Sequence, residues 1–198
     1  MTQNDYDYIT VQPYTGTTLS QDVSIISSWI DLQPDATFVL HTGWTEWRQH
    51  SQTYNSGPSS TMIHSPEYFD ALLGELALLH PDTELRVNPA IDVLESINQD
   101  IANSVSPFDA LSDLYRDPIH MSLGLDGAGR YLQSNLMRTT LGLPVSAAGF
   151  GLLPEDELQY LNAKIASVSA RNVADIPEPS FALGLGMVCL LGKLRGRR

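Results

Sequence analysis

A chain of 198 residues holds one ordinary hydrophobic core with little left for a second, and its 42% hydrophobic content excludes a wholly disordered polymer. A formal charge of -12 excludes a nucleic-acid partner, because binding phosphates takes clustered Lys and Arg. The basic residues instead crowd the end, at Lys193, Arg195, Arg197 and Arg198, so the charge asymmetry concerns the tail. With Cys189 alone, the body forms no internal disulfide and no thiolate metal cluster.

Met1 to Asp5 is polar and acidic, with neither the positive start nor the apolar stretch of a secretory signal. Tyr6 to Val11 is aromatic and β-branched and predicts a strand ending at Gln12-Pro13. Leu19, Val23, Ile26 and Ile30 recur at helical spacing, which predicts a helix over 20–33 with Ser20 as its cap. Ala36 to His41 is a short apolar run suited to a buried parallel strand. Residues 42–66 are rich in Ser, Thr, Gly and His and predict a long loop, either functional or mobile. Pro66 opens a helix capped by Ser65, with Phe69, Leu72, Leu73, Leu76 and Leu79 on one stripe. Glu84 to Asn88 reads as a third strand, and Pro89 starts a helix carrying Ile91, Leu94, Ile97 and Ile101. Asp126 caps a predicted helix through Leu141, stopped by Gly142 and Pro144. A last helix spans 154–170. Strands alternating with helices imply an α/β fold whose mostly parallel sheet is covered on both faces.

Asp117-Pro118-Ile119-His120 lies on a loop that this order places at the C-terminal edge of the sheet, where open α/β sheets bind ligands. An acid three residues before a His can accept the imidazole Nδ1–H and leave Nε2 free as a base. The alternative is a pair of solvated polar residues. Trp44 and Trp47, in the loop after the second strand, either wall a pocket or pack that loop onto the sheet. His41, Glu46, His50 and His64 match no familiar metal-ligand spacing, so a polar loop is expected, with no metal and no cofactor.

The run from Asp113 to Ser122, followed by Gly129-Arg130-Tyr131-Leu132, resembles the last block of the SGNH (GDSL-like) hydrolases. In that family an Asp-x-x-His pair supplies the base and the acid that orients it, roles the resemblance gives to His120 and Asp117. The segment from Tyr6 to Pro13 resembles the strand leading to the family's oxyanion block, with Gln12 where an Asn is usual. Gln12 then either donates to an oxyanion or merely ends a strand. The segment from Phe38 to Trp47 is similar to the next strand and loop, so the similarity runs from about Tyr6 to Pro144. The resemblance implies a flavodoxin-like three-layer fold and ester hydrolysis or deacetylation. The family's nucleophilic Ser precedes the oxyanion strand, and no room for it remains before Tyr6. Ser20 and Ser24 lie beyond that strand on a predicted helix and do not replace it. The expectation is a sheet lacking its first strand, from a chain shortened at its N-terminus and inactive as it stands.

The end reads Pro177-Glu178-Pro179, then an apolar run over 181–192, then a basic end over 193–198. This layout resembles the PEP-CTERM sorting signal of Gram-negative bacteria, handled by an exosortase-type enzyme. It implies export to the cell envelope, transient membrane anchoring by a C-terminal hydrophobic helix, and an association with envelope glycans or exopolysaccharide. The apolar run has no polar face and is shorter than the ~20 residues a spanning helix wants, with its basic end staying cytoplasmic. The expected division is an α/β domain over 1–172 and a sorting tail over 173–198. The competing expectation is a non-catalytic envelope or matrix protein that keeps the fold without the chemistry.

Overall fold

The structure, a computed structural model, describes residues 5–168 and 171–172. Three strands, β1 (Tyr8–Val11), β2 (Thr37–His41) and β3 (Leu85–Asn88), pair in parallel in that order. A two-residue β4 (Arg171–Asn172) runs antiparallel on β3. The register sets Val11 beside Leu40 and Leu40 beside Val87. Because side chains alternate along a strand, Ile9, Val11, Phe38, Leu40, Leu85 and Val87 share one face.

That face packs on α1 (Leu19–Leu32) and α3 (Pro66–Leu79) through Ile26, Ile30, Phe69, Leu72 and Leu76. On the other face α5 (Ala128–Thr140) covers β3. There Arg86 Nη1 donates to the Thr140 carbonyl at 2.8 Å, and Asn88 Nδ2 lies 4.0 Å from Met137 Sδ. α4 (Ala90–Ala102), α5 and α6 (Glu155–Ser167) build a second core from Val93, Leu94, Ile97, Tyr131, Leu132, Leu161 and Ile165. Helices thus cover both faces of a parallel sheet, the α/β arrangement the alternating pattern predicts. β1 is the exception. Tyr8 and Thr10 are exposed on the second face, and the outer edge of β1 pairs with no described strand.

Several predicted boundaries move, each for a local reason. α1 starts one residue earlier than Ser20, because Thr18 is extended and its hydroxyl accepts from the Gln21 N–H at 3.3 Å. The Gln21 side chain accepts from the Thr18 N–H at 2.9 Å, completing a capping box. Ser65 caps α3 ahead of Pro66, as the sequence implies. Asp126 is not a cap. α5 begins at Ala128, and the Gly129 N–H is satisfied at 2.8 Å by the hydroxyl of Ser122 on the preceding loop. The predicted long loop over 42–66 contains a 3-10 turn (Trp47–Gln49) and α2 (His50–Tyr54), under two turns and too short for a periodic pattern. The last helix ends at Ser167, where Val168 turns extended.

Pro177, Glu178 and Pro179, the apolar run over 181–192 and the basic end lie outside the described residues. Among the described residues, no helix is long and apolar enough to cross a membrane.

Candidate functional site

Beyond α4 the chain forms a 3-10 turn (Leu111–Leu114) and then folds back on itself. Tyr115 bridges Met121, the Arg116 N–H donates to the His120 carbonyl at 2.8 Å, and the Ser122 N–H donates to the Leu114 carbonyl at 2.9 Å. Asp117, Pro118 and Ile119 make the tip. Asp117 Oδ1 accepts the backbone N–H of Ile119 at 3.2 Å and of His120 at 2.9 Å, a turn built by the carboxylate itself. The same carboxylate meets His120 Nδ1 at 2.8 and 2.9 Å. Arg116 donates from Nε and Nη2 to Oδ2 at 3.3 Å.

These donors, the His120 backbone N–H first among them, hold the Asp117 carboxyl well below the usual carboxylate range. An ionised acceptor facing Nδ1 puts the ring proton there and leaves Nε2 with its lone pair. The His120 side chain is 63% exposed, so that lone pair is open to an incoming group. Among the described residues, no hydroxyl hydrogen-bonds to Nε2.

The loop after β2 carries this tip. Trp44 Nε1 donates to the Ile119 carbonyl at 2.6 Å, the Trp47 N–H to the Pro118 carbonyl at 3.1 Å, and the Tyr115 hydroxyl to the Thr45 carbonyl at 3.3 Å. His120 therefore sits at the C-terminal edge of the sheet. It lines a cleft of about 400 Å³ with Trp44, Met121 and Leu123, and the remaining wall is Arg116 together with Arg130, Gln133 and Ser134 of α5.

Trp44 is thus both a wall of the cleft and a clamp on the loop. Trp47 is not part of the wall. It packs against the second core with the Arg48 guanidinium 4.6 Å over its ring. Gln12 lies at the end of β1 over Gly43, where a Cβ would come within 2.5 Å of its Nε2. Gly43 has a φ of +66°, a left-handed conformation that favours glycine, and its missing Cβ lets the Gln12 amide approach the loop. Gln12 does not line the cleft. Ser20 and Ser24 line a different hollow, about 600 Å³ between α1 and α3.

Among the described residues no group of three ligating side chains could hold a metal ion. His64 Nδ1 donates to the Thr42 carbonyl at 2.8 Å. His41 packs edge-on to Trp44, and burial, with His64 nearby, pushes its pKa down to about 4. His50 is 2% exposed and lies 3.2 Å from Glu95, yet burial outweighs that carboxylate and keeps its pKa lowered. His50 is buried and His41 and His64 are partly buried, whereas the His120 side chain is 63% exposed.

Arg130, Gln133 and Ser134 carry no local motif. Their i, i+3, i+4 spacing does place them on one helical face, a signal visible in the sequence once the cleft is known. Compared with known proteins, the chain matches no family model, no curated sequence and no solved structure.

Proposed function

We propose that the chain carries the base of an SGNH-type ester hydrolase, acting on acylated glycans or other esters of the cell envelope. One observation carries this reading: an ionised Asp117 holds by Nδ1 an exposed His120 ring that lines a cleft at the C-terminal edge of a parallel sheet. His120 accepts the proton of a nucleophilic hydroxyl, Asp117 fixes the tautomer, and Gln12 is a candidate oxyanion donor from the neighbouring strand end.

The hydroxyl belongs to the family's serine block on a strand that precedes β1. The unpaired outer edge of β1 and its exposed Tyr8 and Thr10 support placing that strand there. With it the sheet takes the flavodoxin-like three-layer form. In this reading Pro177, Glu178 and Pro179 direct the protein to an exosortase-type enzyme, while a hydrophobic helix over 181–192 holds it at the membrane. The second reading, a non-catalytic envelope protein, is favoured by the want of a hydroxyl at Nε2 among the described residues.

The test is hydrolysis of p-nitrophenyl acetate and of acetylated glycans by protein expressed with the in-frame codons upstream of Met1. His120→Ala should lower kcat by about 10²-fold or more, as removal of a general base does. Hydrolysis indifferent to that substitution, or no hydrolysis by the extended protein, gives the case to the non-catalytic reading.

A further inference from the structure

The polar side chains around His120 turn their heads away from the cleft they line. Both amide atoms of Gln133 are buried out of reach of solvent. The Arg130 guanidinium lies 5.1 Å over the Phe150 ring and reaches the Gly124 carbonyl at 3.5 Å, and neither residue belongs to the wall. The Arg116 guanidinium is drawn onto Asp117, with Nε and Nη2 each 3.3 Å from Oδ2. What faces the cleft is the Trp44 indole, Met121, Leu123 and the stems of these longer side chains, so the surface on offer is nearly all carbon. No Asp or Glu lines it. The hollow at the starts of α5 and α6 has the opposite character, with Asp109, Asp113, Asp126 and Glu157 in its wall. In an acidic chain, an apolar cleft beside an exposed base is a local feature of this loop.

That character selects a ligand. A sugar needs partners for its hydroxyls, and a wall of carbon leaves them unpaired at a cost. A hydrocarbon chain needs only area taken from water, which this wall supplies. The volume, about 400 Å³, is at the small end of what ligand pockets span. The loop that carries His120 continues the apolar surface, since Ile119 and Leu123 on either side of it are both exposed.

We infer that the cleft takes the acyl group of the substrate ester, and that this group is a saturated chain of several carbons rather than acetyl. The chain lies along Trp44, Met121 and Leu123, while the alcohol part, sugar or otherwise, stays outside. This names the acyl specificity of the ester hydrolase proposed above and rests on that reading for its catalytic meaning, though not for binding.

Titration of the full chain, labelled with 13C-methyl methionine, with methyl hexanoate and with methyl acetate tests it by methyl NMR. Met121 reports on the cleft, and Met62 reports on the core against α1 and α3. Methyl hexanoate should shift the Met121 signal, leave Met62 in place, and bind about tenfold or more tightly than methyl acetate, since each methylene taken from water adds a few-fold. Ser134→Trp, which brings a large ring into the cleft from an exposed position on α5, should abolish the hexanoate shift. Leu123→Gln should weaken hexanoate several-fold and leave acetate unchanged. Leu79→Gln, in the hollow between α1 and α3, should change neither. Equal affinity for the two esters, no shift at Met121, or a preference that survives both Ser134→Trp and Leu123→Gln overturns the inference. The readout needs no turnover. Hexanoate preference without His120-dependent hydrolysis in the extended protein defeats the proposed function and leaves this site standing. His120-dependent hydrolysis with the two esters bound equally does the reverse.

Discussion

Asp117 is the residue on which the loop and the base both depend. Its carboxylate closes the turn through two backbone N–H groups while holding His120 Nδ1, so one side chain sets loop shape and ring tautomer together. In Asp117→Asn the amide still accepts through its oxygen, but it is neutral and no longer compels a proton on Nδ1. Long-range 1H–15N spectra should show His120 protonated on Nδ1 in the natural protein and as a tautomer mixture in Asp117→Asn. A ring unchanged by the substitution would mean that the backbone turn, not the carboxylate charge, sets the tautomer. The pair itself was legible, since the spacing of an acid and a His in a loop is all this contact needs. Gln12 was half legible. Its place at a strand end can be read from residues, but its position over Gly43 depends on a neighbouring strand. Arg130 and Gln133 were not legible, because they become a wall only when α5 docks on a loop from another part of the chain.

At the scale of elements, that docking turns on Gly129. A Cβ there would lie 2.0 Å from the Leu114 carbonyl oxygen and 3.0 Å from Met121 Sδ, and the first of these contacts is with backbone, which cannot swing aside. Gly129→Ala must push α5 from the 114–122 loop and break the bond from the Gly129 N–H to Ser122. Overpacking of this kind costs ~1–3 kcal/mol, so the urea midpoint should fall and amide exchange should quicken across 114–122. Stability and loop protection at the natural level would show that α5 and the loop are not in contact. The helices and strands themselves were readable, because Ile26 and Ile30 or Phe69, Leu72 and Leu76 mark a buried stripe without reference to a partner. The caps were less so. Thr18 won over Ser20 because the Gln21 side chain completes a capping box with it, and Asp126 lost its role to a serine in the adjoining loop.

For the whole molecule, acid is the condition that pulls these local facts together. His41, His50 and His64 all have lowered pKa values, each mainly through burial, His41 to about 4. The folded chain keeps these rings neutral, while the unfolded chain protonates them near the ordinary histidine value. Unfolding therefore takes up protons as pH falls below that value, and for His41 stability drops between roughly pH 6.5 and pH 4. Glu84, Asp100 and Asp117, held low by Arg86, by Lys164 and by the turn at His120, act in the same direction at more acid pH. Against this, titrating a chain of charge -12 toward its pI of 4.6 relieves diffuse repulsion. That repulsion is screened within about 8 Å at about 0.15 M salt, whereas the desolvation of these rings is not. The histidines should win, and in salt the urea midpoint should fall from pH 7 to pH 5 even as net charge approaches zero. The His41 shift alone predicts a loss of about 2 kcal/mol over that interval. His41→Gln should flatten the dependence by that amount. A midpoint that rises toward the pI, or a slope His41→Gln does not change, would mean that the edge of the sheet around His41 is open to water.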